Sequence, residues 1–379
     1  MSIELIKNNS GVTGLLIGLT FLLLVACSGP KDLIDVPTIA PVDSVAKVTK
    51  HRIFVATSRA KSSEAGVFYS GKRSQQLNFA SVTVSIPPEH KTGKIERPNS
   101  LPSDPQKHFV IDQPVNFETR EAFQSDLITY LSKLPKDKRN LLLFVHGYNT
   151  NLTSAVLQIS QFVEDTGYDG VPVLFSWASS GQTVKYVYDV NSVLVARDHL
   201  VSMFSTLQLS AVQGYDVVAH SMGTLLVMEA SRQIALTTGI NPTNKVRNVV
   251  LAAPDIDIDL FISQIKLFPN DGRNIVVLVS KDDVALRASK RVAGGVQRVG
   301  QVSAQELSKL GIIAIDLSEI EDESSFSHSK YKDSPAVVQL LGETLEEKTS
   351  FNQRPNLSLG QSIAVGVDGA LRSISEASN

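Results

Sequence analysis

The sequence predicts a doubly wound α/β domain, with a mostly parallel sheet and helices on both faces. Three observations predict it. Short apolar runs recur along the chain. Most are continuously apolar, as strands buried on both faces of a parallel sheet must be. Segments with helical apolar spacing stand between them. The first two runs, 51–56 and 80–86, have strand character, and the second alternates, which suits a hairpin near a sheet edge. The continuous runs follow at 141–145, 171–176, 215–219, 246–252, 274–279 and 312–316. Helical patterns cover 118–134, 152–166, 192–207, 222–236 and 335–346.

Between Pro87 and Pro114 lie six of the sixteen prolines. A stretch of that length without periodicity reads as a long ordered loop, packed across a sheet edge or acting as a lid. Residues 349–379 form a tail of no assignable role. The composition supports a folded domain, because 42% of the residues are apolar and only 20% are charged. A formal net charge of −2 gives no electrostatic footprint for nucleic acid. The single cysteine, Cys27, cannot make an internal disulfide or a thiolate zinc site.

Residues 11–25 are uncharged and mostly apolar, too short for a membrane span and suited to the core of a signal peptide. They end in Leu24-Val25-Ala26-Cys27, which resembles a bacterial lipobox. This resemblance implies a signal peptide over 1–26 and a lipidated Cys27. It implies a protein held by its lipid in the bacterial envelope, facing the periplasm. Ser28 after the cysteine leans toward the outer membrane. Residues 27–47, with Pro30, Pro37 and Pro41, read as a tether, and 48–348 as one catalytic domain.

The most informative segment is Tyr215-Asp216-Val217-Val218-Ala219-His220-Ser221-Met222-Gly223. A strand runs directly into small-His-Ser-Met-Gly and then into a helix, the pattern of a nucleophile elbow. So tight a turn requires small side chains two before and two after the serine, and Ala219 and Gly223 supply them. The helix that follows begins where negative charge would develop. About seventy residues earlier, Leu141-Leu142-Leu143-Phe144-Val145-His146-Gly147-Tyr148-Asn149 is an apolar strand ending in His-Gly.

These two segments resemble the α/β-hydrolase superfamily. Further stretches are similar to one bacterial subgroup of esterase-like hydrolases of unknown function: Phe54-Val55-Ala56-Thr57-Ser58-Arg59, Val82-Thr83-Val84-Ser85-Ile86-Pro87, Phe175-Ser176-Trp177 and Leu251-Ala252-Ala253-Pro254-Asp255-Ile256-Asp257. The resemblance implies an α/β-hydrolase fold over about 53–341. It also implies an oxyanion hole built from the backbone N–H groups of Tyr148 and Met222.

Of the seven histidines, elimination leaves His328, after the last strand and before the last helix, as the base. The subgroup has a similar His-Ser-x-Tyr there. Asp282 and Asp283 both lie in the loop where an orienting acid belongs. The subgroup's Ser-x-x-Asp-x-Ala-Leu pattern aligns on Asp283, and Asp255 and Asp257 are the alternatives. The order Ser221, Asp283, His328 is the one this fold uses. It implies hydrolysis of a small ester or acyl substrate, with no cofactor and no metal. Trp177, with Tyr186 beyond it, is a candidate wall of the acyl pocket. Thioesterase, acyltransferase or peptidase activity uses the same groups, and a silent lipid-anchored scaffold is the non-enzymatic alternative.

Overall fold

The computed structural model describes residues 32–237, 244–268, 273–320 and 327–346. Cys27, the signal peptide and the tail 349–379 lie outside them. The sheet opens with β1 (Thr49–Lys61), β2 (Tyr69–Ile86) and β3 (Val110–Phe117). Then come α1 (Arg120–Ser132), β4 (Asn140–Val145), α2 (Leu152–Thr166), β5 (Val171–Ser176), α3 (Tyr186–Leu207), β6 (Gly214–His220) and α4 (Met222–Thr237). The chain continues through β7 (Val246–Ala252), α5 (Ile258–Ile265), β8 (Asn274–Val279), α6 (Val284–Val292), α7 (Ala304–Ser308) and β9 (Ile313–Asp316), and reaches α8 (Lys330–Asp333) and α9 (Pro335–Glu346). The nine strands lie in the order β3-β2-β1-β5-β4-β6-β7-β8-β9. The first three pair antiparallel, and every other pairing is parallel.

The period of two along β4 divides the core. Leu141, Leu143 and Val145 face the layer that holds α1, α3, α4 and α5. Leu142 and Phe144 face α2 and α9. Helix ends are set by local chemistry: Asn151 caps α2 by accepting from Ser154 N, and Gly167 closes it with φ +68°, where a side chain would be strained.

Near its start the structure departs from the sequence reading in two places. The proline-rich stretch is shorter than expected because its end, Val110–Phe117, is an edge strand. Pro114 is tolerated there since an edge strand needs only half its N–H groups. The rest of the stretch is pinned to α2. His90 lies 2.8 Å from Asp165 and 2.7 Å from Glu96, and Gly93 N donates to Asp165. Burial opposes a charge on His90, but its bonds to Asp165 and Glu96 raise its pKa to about 9. Finally, the expected tether joins the domain from Asp32 onward. Leu33 and Ile34 are buried, Leu33 N donates to Thr153 Oγ1, and Asp35 N donates to Ile111 O. Two adjacent large apolar side chains gain more from that burial than a solvated linker would.

Candidate active site

The site forms along the C-terminal edge of the parallel strands. Ser221 sits between β6 and α4 with φ +52°, in the left-handed region that non-glycine residues rarely occupy. Its backbone is tied on both sides: Ser221 N donates to Ala252 O at 2.9 Å, and Ser221 O accepts from Thr224 Oγ1 at 2.6 Å. Strain held this firmly is a mark of functional turns. Gly223 is obligatory, because a Cβ there would come within 2.3 Å of His146 O. At Gly147 a Cβ would meet His220 Nδ1 at 2.8 Å and Ser221 Cβ at 3.0 Å, so the His-Gly turn and the elbow are in direct contact.

The loop after β8 holds the candidate acids Asp282 and Asp283. Asp283 is fully buried and uses its two oxygens differently. Oδ1 caps α6 by accepting from Leu286 N at 2.9 Å, and Oδ2 lies 2.7 Å from His328 Nδ1. A carboxylate accepting from Nδ1–H leaves Nε2 of His328 as the basic nitrogen. Asp282 points elsewhere, into an ion pair with the buried Lys330, whose Nζ also donates to Leu317 O and Ser280 Oγ. Asp255 is held by Tyr186, Ser289 and Arg298, and Asp257 caps α5. Neither reaches His328.

His220 does more than adjoin Ser221. Its Nε2–H donates to the carbonyl of His328 at 3.0 Å, and its ring lies 4.7 Å from the rings of both His328 and Tyr331. Burial, with the nearby His328, keeps its pKa well below the usual range, so the imidazole is neutral. His220 thus brings the loop of His328 against the elbow. Ser221 Oγ itself has no hydrogen-bond partner among the described residues. Such bonds often tighten only when substrate binds.

The backbone N–H groups of Tyr148 and Met222 also have no acceptor among the described residues. Met222 N belongs to the first turn of α4, whose dipole favours an anion. The turn that carries Tyr148 is set by a buried network. Arg59, with no exposed surface, donates to Thr150 O at 2.6 Å, Ser179 O at 2.9 Å and Ser176 Oγ at 2.8 Å, and its Nη2 lies 3.3 Å from His146 Nε2. Burial lowers its pKa to about 9, partly offset by Asp189, so it stays cationic at neutral pH. Asp189, equally buried, accepts from Ser179 Oγ, from Ser180 N at 2.8 Å and from Asn149 N at 3.3 Å. His146 is held near pKa 3 by burial and by Arg59. It is therefore neutral, with Nδ1 2.8 Å from Gly147 O.

Residues 119–344 match the family described as alpha/beta hydrolase of unknown function (DUF900). The chain belongs to this family. No match is found among curated proteins. Among solved structures, the hydrolase is similar to the lin2722 gene product of Listeria innocua, with 13% identity and a TM-score of 0.36 over 56% of this chain and 96% of that one. It is similar to an esterase of Pyrobaculum calidifontis, with 11% identity and a TM-score of 0.35 over 90% and 93%. It is also similar to a fungal esterase of Rhizomucor miehei, with 10% identity and a TM-score of 0.33 over 83% and 86%.

One expectation for this hydrolase is corrected. Trp177 does not wall a pocket. It has no exposed surface, stacks on His146 at 5.0 Å, and donates from Nε1 to His146 O at 2.7 Å. Its residue type suits either role, and only the β5–β4 pairing turns it inward. Tyr186 does line a cavity, beside Met222. No group of three or more His, Cys, Asp or Glu that could hold a metal ion is found among the described residues. The sequence reading missed the Arg59–Asp189 network and the role of His220. The stretch ending in Ser58-Arg59 stood out, but nothing local ties it, or Asp189, to the His-Gly turn.

Proposed function

We propose that this hydrolase is a serine carboxylic ester hydrolase that uses Ser221, His328 and Asp283. The observation that carries the reading is the pairing of the buried Asp283 with His328, whose loop His220 ties to a strained serine elbow. His328 Nε2 takes the proton of Ser221 Oγ as the oxygen attacks the ester carbonyl. The oxyanion is held by Tyr148 N–H and Met222 N–H. Collapse breaks the bond to the alcohol oxygen, which receives that proton from His328, and leaves an acyl-enzyme. Water, deprotonated by His328, then releases the acid and returns the proton to Ser221. Asp283 keeps the imidazole in the required tautomer and stabilises its charged form. These steps need no cofactor. We further read Cys27 as a lipid anchor that holds the enzyme in the bacterial envelope.

Fluorophosphonate labelling and hydrolysis of p-nitrophenyl acetate test the proposal. Ser221→Ala is expected to abolish both without unfolding the protein, and His328→Ala to do nearly the same. The double variant should be no slower than either single one, since such groups act as a unit. A Ser221→Ala protein that keeps a substantial fraction of the wild-type rate overturns the reading.

A further inference from the structure

Two cavities lie beside the elbow along the C-terminal edge of the sheet, one almost wholly apolar and one of mixed polar and apolar lining that includes Pro98 and Val184. One, of about 260 Å³, is lined by residues after β6 and β7 and from the start of α3. Its walls are Val187, Val190, Met222, Leu225, Ile256 and Leu260. Its polar end carries internal partners, with Arg298 Nε in an ion pair but without a hydrogen bond among the described residues. Tyr186 OH lies 3.1 Å from Asp255 and 3.0 Å from Ser289, and Asp255 pairs with the buried Arg298 at 3.2 Å. The other, of about 710 Å³, is lined by residues after β4 and β5 and by the pinned proline-rich loop. Arg97, Asn99, Asn149, Asn151, Gln182 and Thr183 give it amides, a hydroxyl and a guanidinium, with no carboxylate.

β4 and β6 are neighbours in the sheet, so the Tyr148 turn and Ser221 stand at the boundary between the two. The boundary is physical: the Tyr148 ring packs edge-on against Tyr186 at 5.5 Å, and its hydroxyl donates to Thr183 O. Tyr186 belongs to the apolar cavity and Thr183 to the polar one. An ester whose carbonyl sits at Ser221 therefore puts its acyl and alcohol parts in chemically different places.

We infer that the substrate is an acyl ester of a polyhydroxylated alcohol, such as an acylated saccharide, with an acyl chain of up to about eight carbons in the smaller cavity. This rests on the serine hydrolase reading above and specifies its substrate. The smaller cavity lies below the ~300–1,000 Å³ that encloses drug-sized ligands. At about 30 Å³ per water it holds the volume of roughly nine waters, and a methylene fills about as much space as a water, so chains of up to about eight carbons fit. A longer chain would run into the Asp255–Arg298 pair and have to separate or desolvate it, which is costly for buried ions. In the larger cavity, the side-chain amides of Asn99 and Gln182 can both donate and accept, as hydroxyl groups require.

The test uses the purified protein on p-nitrophenyl acetate, octanoate and laurate, and on glucose monoacetate against ethyl acetate, with fluorophosphonate labelling of the same samples. The expected kcat/KM falls at least about tenfold from octanoate to laurate. Leu225→Ala, which enlarges the acyl cavity, should narrow that gap severalfold. Glucose monoacetate should be preferred over ethyl acetate. Gln182→Ala should reduce that preference through KM rather than kcat. Labelled protein that favours laurate, ignores the sugar or hydrolyses none of these esters overturns the inference and leaves the serine chemistry standing. Unlabelled protein overturns the serine hydrolase reading itself.

Discussion

Replacing Arg59 by methionine removes a buried cation while keeping most of its aliphatic volume. The guanidinium supplies the donors for Thr150 O and Ser179 O. A buried acceptor left without its donor costs about 1–3 kcal/mol, so these two carbonyls alone account for about 2–6 kcal/mol. Ser176 Oγ is left out of this sum, because it lies 3.2 Å from His146 Nε2 and can turn its proton there. Removing the charge also recovers some desolvation, which the depressed pKa of Arg59 reflects. Against that, Asp189 stays buried and loses the positive charge near it, although no ion pair joins the two among the described residues. The expected net loss is about 2–5 kcal/mol, read from urea unfolding at pH 7. Thr150 lies two residues beyond Tyr148, so the turn that aims the Tyr148 N–H should relax. Losing one oxyanion donor typically costs about a hundred- to a thousandfold in kcat. Hydrolysis of p-nitrophenyl acetate measures that directly. A variant within about 1 kcal/mol of wild type, with unchanged kcat, would refute both halves of this reasoning.

Three further outcomes are expected. Asp283→Asn should lower kcat by about ten-thousandfold, whereas Asp282→Asn should mainly destabilise the buried Lys330 and leave most of the turnover; steady-state kinetics with thermal melts separates the two. His90 has a folded pKa of about 9, above its ordinary value of 6.5, so its contribution is complete below pH 6.5 and is lost as pH rises through 9; melting temperatures across that window should fall for wild type and stay flatter for His90→Gln. Cys27→Ala should abolish incorporation of a palmitate analogue, and equal labelling of the variant would sink the anchor reading.

Much of the fold is legible because buried parallel strands carry continuous apolar runs. The elements 171–176, 246–252, 274–279 and 152–166 emerge with the boundaries their patterns predict. β3 escaped because Pro114 and a bulge beside Gln113 break its pattern, and α5 and α6 because eight or nine residues carry too few turns for a period to register. The elbow is legible since strand, small residue and serine are contiguous. The choice of Asp283 over Asp282 is not a local matter: it depends on one carboxylate capping α6 toward His328 while its neighbour pairs with Lys330. Arg59 lies 91 residues from the carbonyl it holds and 87 from His146, so their partnership exists only in the folded sheet.

That distance gives Arg59 a second role, in choosing how β1 docks. Thr57 pairs with Ser176 across the parallel junction of β1 and β5, and its Oγ1 donates to Ser176 O. Arg59, two residues on, projects from the same face. A slip of one residue would exchange the two faces of β1. Ser58, too short to reach Thr150 O, would then stand where the guanidinium belongs, and the cation would be driven into the opposite apolar layer. Both errors leave buried polar groups unpaired. The residue that steadies the turn beside Ser221 therefore also discriminates against misaligned strands, so a molecule with β1 out of register would be penalised before it could present a formed active site.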